Sequence, residues 1–137
     1  MITSIITERL DYKIHDVYRV VLNVNEYDKW RSDLSKVKIL NKTQFVEYTK
    51  ENYATTFTIT RTDPLTCWEF DIDNINMSGH WSGVFKPCGN QTEIIFTEQV
   101  HVKKRLMKLF ARFYLKKQQI QFVKDLKKYL ESIYRER

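Results

Sequence analysis

The chain has 137 residues, a length that predicts one domain with a single hydrophobic core, here residues 1–137. It is 42% hydrophobic and 14% aromatic, with a formal net charge of +6 that comes largely from its last third. No apolar stretch approaches ~18 residues and the N-terminus does not read as a signal peptide, so we expect a cytoplasmic protein without integral membrane association.

The first predicted elements are one strand and two short helices. Residues 3–12 mix β-branched and polar side chains in an extended pattern. Apolar residues then recur at helical spacing from Ile14 to Leu22. Asn25 can cap a second short helix that extends through Trp30 to Leu34.

Strands dominate the middle of the chain. Turn-forming residues separate six further extended segments, and the short links between them indicate an antiparallel meander. The predicted strands cover residues 37–40, 44–50, 53–61, 67–74, 76–86 and 92–100.

The alternation within these strands predicts one apolar and one polar face. Trp68 and Phe70 alternate with acidic residues, which is typical of a sheet with one covered side. Glu98 continues the phase of Ile94 and Phe96. A carboxylate is therefore expected on the covered face, where an unpaired charge is costly.

Two glycines in the strand of residues 76–86 indicate a strongly bent sheet. Gly79 and Gly83 share a phase with the large side chains of Met77, Trp81 and Phe85. Glycine within a strand often marks a bend or a close approach of backbone. A bent sheet leaves room beneath it for a cavity.

The last third, from about Val102, is predicted to be one long amphipathic helix that covers the sheet. Its basic residues, which extend to Arg135 and Arg137, are expected to form mainly a solvated outer face. Lys116 and Lys117 interrupt the stripe and can either reach solvent or meet Glu98. The apolar stripe comprises Leu106, Leu109, Phe110, Phe113, Ile120, Val123, Leu126, Leu130 and Ile133.

Other chemistry finds little support in the sequence. Cys67 and Cys88 form no CxxC pair, so we expect free thiols, and the three scattered histidines give no metal-ligand set. His80 has the phase of the outer face, and His101 lies where the last strand meets the helix. Cofactor-binding fingerprints are also missing, so no metal and no cofactor is predicted.

Three parts of the chain together resemble the START-like (SRPBCC) superfamily, especially its polyketide cyclase/dehydrase and lipid-transport branch. The first is residues 11–18 followed by Trp30, and the second is residues 79–85 followed by 89–98. The third is Phe122, Asp125 and Leu126, which match a Phe-x-x-Asp-Leu ending of the long helix. Lys13-Ile14 replaces the family's usual proline, and Asn90-Gln91 separates Gly89 from Thr92.

The resemblance implies an α+β helix-grip fold. In this fold a curved antiparallel sheet of six to seven strands wraps around the long C-terminal helix, with two short helices after the first strand. It also implies a hydrophobic cavity between the sheet and the helix, although a fold does not determine a function.

Our main functional hypothesis is that this cavity binds a lipid, a polyketide-like molecule or another apolar ligand. One alternative is a cyclase or dehydratase in which Glu98 is the acid/base, so whether the chain is an enzyme stays open. A second alternative is an interaction module whose basic helix docks on an acidic partner or membrane. Nucleic acid is not an expected partner, and a homodimer is left open. The predicted ligand-binding residues are Tyr53, Phe57, Trp68, Phe70, Trp81, Phe96, Phe113, Lys117 and Ile120.

Overall fold

The computed structural model describes residues 1–134, so Arg135 and Arg137 of the predicted basic helix face lie outside the described residues. The described residues form seven strands and three α-helices in the order that the sequence predicts, with two short helices after the first strand and the long helix after the last. Short 3-10 turns cover Val24–Glu26 and Arg105–Met107. In chain order the elements are β1 (Ile2–Leu10), α1 (Ile14–Leu22), α2 (Tyr27–Trp30), β2 (Leu34–Ile39), β3 (Gln44–Thr49), β4 (Ala54–Asp63), β5 (Cys67–Asp73), β6 (Met77–Cys88), β7 (Gln91–Val102) and α3 (Lys108–Tyr134).

All seven strands form one antiparallel sheet in the order β1-β7-β6-β5-β4-β3-β2. Strands β2 to β7 are a meander, and β1 returns to pair with β7. The register shifts between Leu34 and Lys36 and again between Ile59 and Arg61. Such bulges increase local bending, which helps the sheet to wrap around α3. The predicted helix-grip architecture is confirmed.

The core lies between the inner face of the sheet and the helices. Val17 and Val21 of α1 are fully buried there, as are Leu126 and Leu130 of α3. These residues recur at helical spacing, so each helix presents one apolar face to the sheet. The matching inner residues of the sheet include Ile94, which is also fully buried.

The long helix begins later than the sequence predicts. Val102 belongs to β7, where it pairs with Met77, and α3 begins at Lys108. The pairing of β6 with β7 continues for the whole length of both strands and holds residues up to Val102 in the sheet. The prediction of a helix from Val102 was therefore wrong by about one and a half turns.

The predicted apolar stripe is wrong for the first half of α3. Phe113 and Ile120 are 74% and 53% exposed, and Lys117 is also exposed. The buried side of this half carries Ala111, Leu115 and Gln119 instead. Gln119 is anchored on β1, where its amide accepts from Ser4 Oγ at 2.7 Å and donates to the Ser4 carbonyl at 2.9 Å.

The Phe-x-x-Asp-Leu ending has a structural explanation. Leu126 is fully buried, and the Phe122 ring packs edge-on against Trp30 at 5.4 Å between ring centres. The Asp125 carboxylate accepts hydrogen bonds from the Ser32 backbone N–H at 2.9 Å and from Ser32 Oγ at 2.8 Å. Asp125 thereby joins α3 to the segment that connects α2 with β2.

Between residues 1 and 134, no helix combines the length and the apolar character needed to cross a membrane.

Candidate functional site

A cavity of about 140 Å³ lies between the inner face of the sheet and the first half of α3. Its walls come from strands β2 to β7, from the α2 region and from α3. Of the nine predicted ligand-binding residues, six line it, together with Glu98. These six are Tyr53, Phe57, Trp68, Phe70, Trp81 and Phe96.

The remaining three predicted residues, Phe113, Lys117 and Ile120, do not line the cavity. They lie on the solvent side of α3 because the helix turns Tyr114 and Gln118 toward the cavity instead. The prediction was wrong because it continued the apolar phase of the second half of the helix into the first.

Aromatic rings form a continuous apolar wall. Phe45 stacks on Phe57 with ring centres 4.9 Å apart, and Phe70 stacks on Trp81 at 4.7 Å. Phe96 continues the row, 4.8 Å from Trp81. Such contacts add to area burial and keep large side chains in defined positions. The wall is therefore preorganised for a flat or apolar ligand.

The two glycines of β6 allow close approaches, Gly83 of the aromatic wall and Gly79 of the neighbouring strand β7. A Cβ atom on Gly83 would lie 2.5 Å from the Trp81 ring, and one on Gly79 would lie 2.1 Å from the Gln99 carbonyl oxygen. Both distances are far below van der Waals contact. The close approach predicted from the sequence is confirmed at both positions, and Gly83 is what allows Trp81 to lie along the sheet.

A largely buried group of ion-paired side chains forms part of the cavity lining. The Arg31 guanidinium forms ion pairs with the carboxylates of Glu47, at 3.2 Å, and Asp33, at 2.9 Å. It also lies 4.9 Å from the centre of the Phe122 ring. Burial raises the pKa of Glu47, although the neighbouring Arg31 opposes this effect. Burial alone would lower the pKa of Arg31, but Glu47 and Asp33 outweigh it and raise that pKa.

Sequence reasoning missed Arg31, Asp33 and Glu47. Glu47 shares the strand phase of Phe45, just as Glu98 shares that of Phe96, so the alternation of β3 offered a signal. Arg31 and Asp33 lie in the connection after α2, which has no periodicity from which their direction could be predicted.

Glu98 faces the cavity, as its strand phase predicts. Burial raises the pKa of its carboxyl to about 7, with a further increase from Glu47 and an opposing effect of Arg31. The carboxyl forms no hydrogen bond or ion pair with any residue between 1 and 134. Lys116 donates to the Ile5 carbonyl instead, and Lys117 points to solvent, so the proposed pairing of these lysines with Glu98 does not form.

The rim of the cavity is polar. Tyr53 donates to Asn74 Oδ1 at 3.1 Å on the sheet side, and the Asn74 amide donates to Thr55 Oγ1 at 3.1 Å. On the helix side Gln118 donates to the Tyr114 hydroxyl at 2.7 Å. Burial, and then the nearby Glu98 carboxyl, raise the pKa of Tyr114.

His80 lies on the outer face of the sheet, away from the cavity, as predicted. Its two ring nitrogens lie 2.7 Å from Asp71 Oδ1 and 2.8 Å from Glu69 Oε1. Burial opposes a charge on His80, but the hydrogen bonds to Asp71 and Glu69 outweigh burial and raise the pKa of the imidazole. Among residues 1–134, no group of three His, Cys, Asp or Glu side chains could hold a metal ion.

A sheet that grips a long helix over an aromatic cavity defines a helix-grip protein of the START-like (SRPBCC) class. The model of the family "Polyketide cyclase / dehydrase and lipid transport" matches residues 3–131, and the chain belongs to this family.

Solved structures of low sequence identity share the whole fold. A START superfamily protein from Mycobacterium smegmatis superposes with a TM-score of 0.86 at 11% identity, covering 96% of this chain and 98% of that one. The Zhui aromatase/cyclase from Streptomyces sp. R1128 gives 0.85 at 11% identity, covering 95% and 93%. A conserved protein from Geobacillus kaustophilus gives 0.84 at 10% identity, covering 96% of each chain. No curated protein matches the sequence significantly.

Proposed function

We propose that this chain, as one domain, binds a small and largely apolar molecule whose polar end donates a hydrogen bond to Glu98. The observation that carries the proposal is an acceptor that lines an aromatic cavity and has no hydrogen-bond partner among residues 1–134. Ligand sites typically combine an apolar lining with a few polar groups that fix orientation. The two free cysteines support a reducing, cytoplasmic setting for this binding.

The size of the cavity limits the ligand. An apolar cavity of roughly 150 Å³ holds a molecule the size of benzene, and the cavity here is about 140 Å³. One aromatic ring therefore fits against the aromatic wall, and a longer substituent has to leave through the rim at Tyr53 and Tyr114. A fused polycyclic ligand requires the rim to open.

The charges around the cavity favour a neutral or cationic polar end. Arg31 is the only cationic side chain among the described lining residues, and Glu47 and Asp33 already bind it. Glu98 adds a further carboxyl, which forms no ion pair with the residues that the structure describes. A ligand carboxylate would meet like charge in a partly desolvated site, whereas a hydroxyl or amine would donate to Glu98.

Three matched probes test this proposal: 4-propylphenol, propylbenzene and 4-propylbenzoate, titrated at pH 8 and followed by protein NMR. We expect the phenol to bind roughly tenfold or more tightly than the benzoate, since a hydrogen bond to a charged acceptor contributes about 1.5–3 kcal/mol. The indole N–H signals of Trp68 and Trp81 should shift, whereas that of Trp30, outside the cavity lining, should shift least.

Glu98→Gln should remove most of the difference between phenol and benzoate while propylbenzene binds as before. Glu93→Gln is the matched control, because Glu93 lies on the same strand and has the phase of the outer face. Absence of binding by all three probes, or a preference for the benzoate, would contradict the proposal.

A second candidate function, cyclisation with loss of water, is favoured by the titration of Glu98. A carboxyl with a pKa of about 7 can take a proton from an activated CH2 group, whose carbanion then forms a carbon–carbon bond to a ketone carbon, and it can return that proton to the ketone oxygen, which becomes a hydroxyl. Taking the second proton of the same carbon and giving it to this hydroxyl releases water and leaves a carbon–carbon double bond. The test is formation of a conjugated product from a short poly-β-keto thioester, followed by absorbance. Glu98→Gln should then abolish turnover while circular dichroism shows that the variant still folds. Equal turnover by the unmodified chain and the Glu98→Gln variant would exclude this role.

A further inference from the structure

The first turns of α3 and the 3-10 turn before it expose four large apolar side chains. Leu106 and Leu109 are 85% and 75% exposed, and Phe110 is 69% exposed. With Phe113 they form one continuous face, which we call the apolar ridge. A contiguous apolar patch of this kind on a protein surface commonly marks an interaction site.

The ridge does not face the core of its own chain. At this level of α3 the sheet contacts Ala111 and Leu115, and Leu115 packs with Met77 and Val100. At 3.6 residues per turn, the centre of the ridge lies roughly 170° around the helix from the centre of the buried face, on nearly the opposite side. No residue between 1 and 134 buries the ridge.

A cationic border surrounds the ridge. Between Gln99 and Lys124 the sequence contains no acidic residue. Lys103 pairs with Asp73, but most of the border forms no ion pair with any residue in the part of the chain that the structure describes. These unpaired residues are Lys104, Arg105, Lys108, Arg112 and Lys117.

The combination of ridge and border discriminates between occupants. A second copy of the chain would place one cationic border against another, which is unfavourable. A nucleic acid or an acidic protein would satisfy the border but give Leu106 and Leu109 no apolar surroundings. An anionic lipid bilayer provides phosphates for the border and acyl chains for the ridge.

We propose that residues 104–117 dock on the surface of an anionic lipid bilayer, with Leu106, Leu109, Phe110 and Phe113 inserted below the headgroups. This proposal is independent of the ligand assignment, since none of these four residues lines the cavity. Tyr114 and Gln118, on the same stretch of helix, form part of the cavity rim. Docking would therefore bring the rim close to the lipid headgroups.

The experiment is co-sedimentation of the full chain with vesicles of phosphatidylcholine alone or of phosphatidylcholine with one quarter phosphatidylglycerol, at 0.1 M salt. We expect binding to the anionic vesicles that weakens roughly fivefold for each border charge removed and declines at higher salt. Leu109→Ser with Phe113→Ser should weaken binding at least tenfold, because both insert into the apolar layer.

Matched controls separate docking from nonspecific effects. Ile5→Ser removes another exposed apolar side chain, and Lys42→Glu with Lys50→Glu reverses two exposed charges elsewhere. These variants should bind as the unmodified chain does, and circular dichroism should show that all variants fold. Lys104→Glu with Lys108→Glu should lose binding.

Three results would overturn the proposal. The first is no sedimentation with anionic vesicles. The second is binding that the charge variant loses but the ridge variant keeps, which would indicate a purely electrostatic surface. The third is a dimer, seen by sedimentation equilibrium, that the ridge variant converts to a monomer without any vesicle binding, which would assign the ridge to a second copy of the chain.

Discussion

The two halves of α3 differ in what their apolar residues do. In the second half, Val123, Leu126 and Leu130 are buried against the sheet and the short helices. In the first half, most of the large apolar residues point to solvent, and the buried side carries one large apolar residue, Leu115, between the small Ala111 and the polar Gln119. One continuous helix therefore serves as a core element at one end and as the wall of a cavity with an exposed ridge at the other.

The largest expected loss of stability comes from a substitution in the second, buried half of α3. Leu126→Ala should lower the free energy of unfolding by about 2–5 kcal/mol, because Leu126 is fully buried and its removal leaves a cavity. Leu109→Ala, the same change on the ridge, should alter it by less than about 0.5 kcal/mol. Urea unfolding at constant pH measures both. Equal losses of unfolding free energy for the two variants would contradict the difference in burial between the two halves.

The next effect concerns the cavity that the first half of α3 covers. The pKa of Glu98 is raised from 4.5 to about 7, so the folded chain binds its proton more tightly than the unfolded chain does. The free energy of unfolding should therefore decrease as pH rises from about 4.5 to 7, by up to about 3 kcal/mol. Glu98→Gln should remove this decrease, whereas Glu93→Gln should keep it. Identical pH profiles for Glu98→Gln and the unmodified chain would contradict the buried position of this carboxyl.

A substitution of Asp125 tests the hydrogen bonds that attach the second half of α3 to the segment after α2. Asp125→Ala removes the acceptor for the Ser32 backbone N–H, the Ser32 hydroxyl and the Gln121 amide. We expect a loss of about 1–3 kcal/mol, since a partly buried N–H is left without a partner. Glu131→Ala, an exposed acidic residue on the same helix, is the control and should have little effect. Equal unfolding midpoints for the two variants would argue against a role of Asp125 in holding the segment after α2.

The sequence predicted the sheet better than the helix, for a physical reason. Strand side chains alternate with a period of two, so the inward direction of Trp81 and Glu98 follows from the apolar pattern alone. Along α3 the apolar pattern shifts to a different face between Phe113 and Val123, and the pattern does not show which face meets the sheet. Ala111 is too small to mark, in the apolar pattern, the side of the first half of α3 that meets the sheet.

The cavity was predictable only in part. Its aromatic wall follows from strand phase, and Phe45, which is opposite Phe57 in the pairing of β3 with β4, could have been added on the same argument. The ion pair between Arg31 and Glu47 links the loop after α2, which has no periodic sequence pattern, to strand β3. Such a contact depends on tertiary packing, which no local pattern encodes.

Gln119 marks the boundary between the halves and provides a smaller test. Gln119→Leu keeps the side-chain volume but leaves the Ser4 hydroxyl and carbonyl on β1 without their partner. We expect a loss of about 1–2 kcal/mol of unfolding free energy. Gln118→Leu changes a neighbouring exposed amide, and its effect should be near zero. A stabilised Gln119→Leu variant would show that the boundary prefers an apolar residue, as the sequence stripe assumed.

The smallest expected effect separates the structure from the sequence prediction directly. The predicted stripe places Phe113 and Ile120 against the sheet, where a change to serine would remove a buried side chain and cost several kcal/mol. In the structure both side chains are exposed, so Phe113→Ser and Ile120→Ser should each change the free energy of unfolding by about 0.5 kcal/mol or less. Val123→Ser, one turn beyond Ile120 and buried, is the matched control and should be clearly destabilising. If all three variants lost similar stability, the first half of α3 would have to pack on the sheet through its apolar ridge, and that ridge would not be free to meet a bilayer.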